Sequence, residues 1–271
     1  MEILKQIFSY PFAVRAVIVG LLLSVSAALI GVNLVLKRFS MLGDGLSHVS
    51  FGAAAVGLAC GVAPLKFSIP IVIAAAFLLL RLKQNSKING DAATAIVSSS
   101  ALAVGITVAT LTTGMNTDIS NYMFGSILAL GNSEVVTASI FGVLIILLYI
   151  LFYKKIFAVT FDEDFAAVTG VKVKLYNSIN AVLTAVTVVV GMRIMGALLI
   201  SSIITFPALS SMRICKHYKC TVIVAAVIAV AAFLSGILLS FMFDLPAGAA
   251  VVLTNLAVFL ILSLVGKIKQ I

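Results

Sequence analysis

Residues 16–36 read AVIVGLLLSVSAALIGVNLVL, 21 consecutive residues without an Asp, Glu, Lys or Arg. A helix needs about 20 apolar residues, at 1.5 Å per residue, to cross the hydrocarbon of a bilayer. The run is too long for a signal-peptide core and more follow it, so it reads as a retained membrane helix. Ala92–Thr113, Val135–Tyr153, Cys220–Phe243 and Leu245–Gly266 are equally free of charged residues. Of the 271 residues 62% are hydrophobic and 10% charged, against roughly half and a quarter in a soluble domain. The chain is therefore a polytopic all-α membrane protein, not a soluble or disulfide-stapled domain.

Shorter apolar runs fill the gaps. Spans are expected at about 16–36, 45–62, 67–81, 92–113, 135–153, 175–192, 195–212, 220–243 and 245–266, giving eight or nine helices. The third run holds Pro70, and only MRIMG separates the sixth from the seventh, so either is a candidate for a broken or re-entrant piece. Residues 1–15 are mildly amphipathic and expected at the interface. No linker, repeat or low-complexity segment divides the sequence, so residues 1–271 read as one transmembrane domain.

The net charge of +9 does not point to a nucleic-acid partner, because its distribution is topological. Lys37, Arg38, Arg81, Lys83, Lys87, Lys154, Lys155, Lys172, Lys174, Arg213, Lys216, Lys219, Lys267 and Lys269 are 14 of the 18 basic residues, and all fall in segments expected on the cytoplasmic side. The opposite loops differ: Thr113–Glu134 carries Asp118 and Glu134 without a base, and Asp244 stands alone. Arg193, at a helix end, is expected to snorkel to an interface or meet a phosphate.

Three cysteines, Cys60, Cys215 and Cys220, make no disulfide framework. CKHYKC (215–220) matches no standard zinc spacing and lies in a basic loop, so an ordinary cytoplasmic loop is expected there. FDEDFAAVTGVKVK (161–174) puts acids at the start of a short helical pattern, where they suit the helix dipole, and Gly170 marks its end. That segment is either a solvated connector or a docking element for a soluble partner.

MLGDGLSHVS (41–50) is the anomaly. Asp44 and His48 sit one turn apart on one helical face, just inside an apolar run where a charge costs about 2.5–3.5 kcal/mol. Carboxylate plus imidazole is a ligand set that suits zinc, manganese or iron. The surrounding Gly43, Gly45, Ser47, Ser50, Gly52 and Ala53–Ala55 let helices approach closely and leave room beside a polar pair. The residues alone also allow Asp44 to cap the helix while His48 satisfies a carbonyl.

VLKRFSMLGDGLSHVSFGAAAVG (35–57) resembles the signature of permease subunits from the zinc/manganese/iron branch of ATP-binding-cassette importers, a basic pair followed by G-D-x-L-S/A-H. YMFGSILAL (122–130), FDEDFAAVTGV (161–171), VVVGMRIMGALLISSIITFPAL (188–209) and FDLPAGAAVVL (243–253) resemble later blocks of that family in the same order. The resemblance implies a homodimer around one translocation path in the bacterial cytoplasmic membrane. It also implies cytoplasmic ATPase subunits and an extracellular or periplasmic metal-binding protein. It assigns Asp44 and His48 to the metal, Gly45 and Ser47 to the pathway, and Asp162, Glu163, Asp164 and Gly170 to ATPase coupling. Asp118 and Asp244 fit an outer acidic surface. Zinc or manganese is then cargo, and no permanently bound cofactor is expected.

The sequence has no G-x-x-x-x-G-K-[ST], so ATP hydrolysis belongs to a partner and the chain is not itself an enzyme. The rivals are a permease for cobalamin or siderophore chelates, an ion-coupled secondary transporter, and an intramembrane enzyme using His48 as base. The shortness of the chain and the Asp–His block argue against the first. The lack of a second acid within residues 16–81 argues against the second, and the lack of a second catalytic group within any span argues against the third.

Overall fold

The computed structural model describes residues 11–85, 90–112, 125 and 131–268. Its helices, in chain order, are α1 (Pro11–Leu36), α2 (Leu42–Ala59), α3 (Pro64–Asn85), α4 (Gly90–Leu111), α5 (Asn132–Phe161), α6 (Glu163–Val168), α7 (Val173–Met195), α8 (Ala197–Met212), α9 (Tyr218–Phe243) and α10 (Ala247–Ile268). Among the described residues nine helices are long and one, α6, is a short connector. The expected helix at 122–130 and the acid Asp118 lie outside the described residues.

Three boundaries differ from the sequence reading. Residues 11–15 are not a separate interfacial segment, because α1 already begins at Pro11, whose fixed φ suits a first helical turn. The third run is an unbroken 22-residue helix that tolerates Pro70 inside it. The sixth and seventh runs are two helices joined at Gly196, whose φ of +89° and ψ of 158° only glycine adopts readily. α8 then runs through Pro207 without ending there.

Among the described residues seven helices, α1, α3, α4, α5, α7, α9 and α10, are long and apolar enough to cross a membrane; α8 is a shorter apolar helix. Burial sorts them into layers. In the most apolar window of α1 and of α7, 72% of residues are buried inside the protein, against 22% for α3, α4, α5 and α10. The first two are the centre, and the outer four turn side chains such as Ile96, Leu111, Leu147 and Leu151 outward, as lipid contact requires. α8 is central as well, packing on α1, α2, α7, α9 and α10.

Lipid removes the hydrophobic drive between helices, so close packing has to hold them. A Cβ on Gly31 of α1 would stand 1.9 Å from the Ile204 carbonyl oxygen of α8, and one on Gly52 of α2 would stand 2.4 Å from that of Ala101 on α4. These backbones touch because nothing lies between them. Buried polar groups add pins. Tyr218 of α9 donates to Asn33 Oδ1 of α1 at 2.6 Å and lies 2.9 Å from the Tyr149 hydroxyl of α5.

Between α8 and α9 the structure joins Cys215 to Cys220 in a disulfide, which the sequence reading had not expected. The turn brings their Cα atoms to 5.7 Å, within the usual bridging distance. Bridged sulfurs are not thiolate ligands, so the metal reading of CKHYKC falls.

Candidate functional site

The site is built at a sharp corner. α1 ends at Leu36 and the chain reverses through Arg38, a non-glycine residue at φ +55°. The Phe39 amide donates to the Leu34 carbonyl and that of Leu42 to the Phe39 carbonyl. α2 starts after Met41, which provides no side-chain cap. Asp44 therefore does not cap the helix, and its carboxylate is free to face outward.

The sequence of α2 is dominated by small residues, and they sink it. Gly45 is pressed on α4, where an added Cβ would lie 2.3 Å from Thr94 Cγ2. From Leu42 to Ala55 every residue of α2 is buried except Asp44 and His48. Their side chains are 52% and 25% exposed. One polar stripe is thus left accessible on an otherwise covered helix. Gly45 and Ser47, the other expected pathway residues, are buried; the Ser47 hydroxyl donates back to the Asp44 carbonyl at 2.7 Å.

His48 Nε2 stands 3.6 Å from Asp44 Oδ2, beyond normal hydrogen-bond length. Two donors about 2.1 Å from one tetrahedral ion are about 3.4 Å apart, so these atoms could share a metal with little movement. α8 supplies the neighbour: Ser201 Oγ donates to Asp44 Oδ1 at 3.2 Å. Leu198, Ser201, Thr205 and Leu209 recur at three- and four-residue spacing and are among the more accessible positions of that helix. Among the described residues no cluster of three or more His, Cys, Asp or Glu exists, and Asp44 and His48 stand together as a pair.

On the side expected to face the cytoplasm, α6 is set off by Asp162, whose Oδ1 accepts from the Phe165 amide at 2.9 Å. It stops at Gly170, with φ +82°. Glu163 points inward, its Oε1 lying 3.0 Å from Lys37 Nζ at the end of α1. Of the four expected coupling residues, Asp162 and Glu163 are therefore engaged within the protomer, Gly170 shapes the turn, and Asp164 is exposed. Beside these carboxylates α6 presents two large apolar side chains, with Phe165 64% and Val168 88% exposed. Sequence reasoning passed over these two; an apolar pair on a helix between charged segments was the available signal.

On the opposite side Arg193 is paired within the protein. Its Nη2 lies 2.7 Å from Glu134 Oε1, tying the end of α7 to the first turn of α5. Glu134 Oε2 also accepts from the Gly131 amide, so its side chain satisfies a free donor at the start of α5. Asp244 is exposed at the α9–α10 turn, and its companion Asp118 lies outside the described residues. Ser201 was the other residue missed; a serine in an apolar helix carries no pattern that marks it.

The chain is 27% identical over 246 residues to the high-affinity zinc uptake system membrane protein ZnuB of Haemophilus influenzae, covering 91% of this chain and 94% of that protein. It is 26% identical over 260 residues to the manganese import system permease protein ScaB of Streptococcus gordonii, covering 96% and 93%. A solved chain of PsaBC from Streptococcus pneumoniae, in complex with Fab, superposes with a TM-score of 0.86 at 28% identity, covering 96% of this chain and 94% of that one. A solved ABC transporter of metal-chelate type, inward-facing, shares the fold alone, with a TM-score of 0.75 at 16% identity. The ABC 3 transport family model matches residues 9–266, and the chain belongs to that family.

Proposed function

We propose that this chain is the membrane-spanning permease of an ATP-driven importer of divalent transition-metal ions, zinc or manganese, with iron the third candidate. One observation carries the reading: α2 buries everything from Leu42 to Ala55 except a carboxylate and an imidazole whose donor atoms are 3.6 Å apart. A charge held in an apolar layer marks an ion path more often than a structural role. The relatives named for zinc and manganese support that cargo.

Two ligands bind a divalent ion too weakly to complete a site. A two-fold dimer would place a second Asp44–His48 pair across the axis and supply two carboxylates and two imidazoles. This is an isologous arrangement, so the same residues face themselves. Neutral imidazole and ionised carboxylate hold zinc or manganese at moderate strength, which suits passage rather than storage.

The cycle is alternating access. ATP binding and hydrolysis in partner subunits move α6, whose exposed Phe165 and Val168 are the docking groups. α2 then re-aims its two ligands from the outer to the cytoplasmic side. The two conformations must differ in metal affinity, or no work is done on the ion. A metal-binding protein delivers the ion at the outer face, where Asp244 adds negative charge.

A chelate path would need a wide, many-sided cavity, whereas two bare donor atoms suit an ion. Uptake of radioactive zinc and manganese by cells expressing the complete transporter separates the readings. Accumulation that stops on ATP depletion and is competed by free metal supports the proposal. Accumulation that survives ATP depletion and collapses with the proton gradient would replace it with an ion-coupled carrier. Inhibition by a metal chelate alone would replace it with a chelate permease.

A further inference from the structure

Lys37, Glu163 and Asn177 form one hydrogen-bonded cluster across three elements distant in sequence. Lys37 Nζ lies 3.0 Å from Glu163 Oε1 and donates to Asn177 Oδ1, while Asn177 Nδ2 donates to Glu163 Oε1 at 3.2 Å. Lys37 is the first residue after α1, at the corner, Glu163 opens α6, and Asn177 lies in the second turn of α7. Resting on the transport reading, we propose that this cluster is the latch through which α6 sets the position of the α1–α2 corner, and with it Asp44 and His48.

Three features favour a latch over a static brace. The corner it holds is strained. Arg38 occupies the left-handed region at φ +55°, where a residue with a Cβ is held at a cost only by its surroundings.

The corner also has somewhere to go. A cavity of about 270 Å³ is lined by Lys37, Phe39, Leu42, Glu163, Asn177 and Asn180. The Asn180 Oδ1 atom is buried there without a hydrogen-bond partner. It offers an acceptor to an ammonium that lets go of Glu163, which a close-packed interior would not allow.

Finally, the pair is poorly placed to be a stability device. The Glu163 side chain is 48% exposed, while that of Lys37 is 13% exposed. With its carboxylate half in solvent the pair is screened on that side, and it holds the fold less firmly than a fully buried pair would. The cluster reaches the site through a short rigid path: Leu42, the first residue of α2, lines the cavity, and Asp44 follows half a turn later.

The test measures metal moved per ATP hydrolysed by the complete transporter reconstituted in liposomes. The variants are Lys37→Glu, Glu163→Lys and the double exchange. A reversed pair can still form, because the Asn177 amide both donates and accepts. Each single variant is expected to lower the ratio at least fivefold. Its thermal midpoint should move by no more than about 3 °C, the shift that a loss of about 1 kcal/mol produces at this size. The double exchange is expected to regain at least half of the wild-type ratio. Single variants with a wild-type ratio, or a double exchange no better than the worse single, would overturn the latch alone. A wild-type complex that moves no metal would instead overturn the transport reading, and the latch with it.

Discussion

Ser201 Oγ donates to Asp44 Oδ1 at 3.2 Å, joining α8 to α2 across 157 residues of sequence at the point where the exposed carboxylate emerges. The same hydroxyl lies 2.9 Å from the Ala197 carbonyl, so its single proton is divided between its own helix and the carboxylate. A hydrogen bond to a charged group is worth about 1.5–3 kcal/mol when buried, and less here because Asp44 is half exposed.

Ser201→Ala should therefore alter metal handling without disturbing the fold. The half-saturating metal concentration for uptake is expected to change by a few-fold, below the tenfold that about 1.4 kcal/mol represents. Membrane levels should match the wild type. Uptake curves at matched expression measure it, and an unchanged curve would mean that Ser201 does not orient the carboxylate.

Gly31 tests the packing of α1 against α8. A methyl there would meet the Ile204 carbonyl oxygen at 1.9 Å, and backbone cannot yield as a side-chain end can. Gly31→Ala is expected to cost at least the 1–3 kcal/mol usual for overpacking and to lower the amount of folded protein in detergent severalfold. Gly131→Ala is the control, because the nearest atom to its Cβ is Glu134 Oε2 at 3.9 Å. Size-exclusion of fluorescently tagged protein should separate the two.

Phe165 and Val168 test the docking surface. Both side chains are exposed on α6 and make little of the protomer core. Replacing both with Ser should leave the permease folded. Apolar anchors at an interface commonly cost 1–2 kcal/mol or more when removed. Copurification of the ATPase partner should then fall by about fivefold or more. Undiminished copurification would move the docking surface elsewhere.

The sequence carried the fold wherever hydropathy was strong. A charge-free run such as Ala16–Leu36 can only be a span, and the basic residues orient it. What stayed hidden were relations between distant residues. Glu134 and Arg193 each looked like a lone terminal charge until α5 and α7 were brought side by side. Lys37 read as a topology signal and Glu163 as part of an acidic helix start, because nothing in spacing reveals a bond over 126 residues. Asp44 and His48 were legible because a single helical turn sets their proximity. That they are the only accessible residues of α2 from Leu42 to Ala55 depends on packing with α4 and α8, which no local pattern encodes.

The central claim is that these two side chains hold the transported ion in passage. Uptake of radioactive zinc and manganese at matched membrane levels, in wild type, Asp44→Asn and His48→Gln, tests it most directly. Both substitutions keep size and polarity while removing a metal-binding donor. Each is expected to lower initial uptake at least tenfold, while Gly131→Ala transports normally. Wild-type uptake in both variants would contradict it.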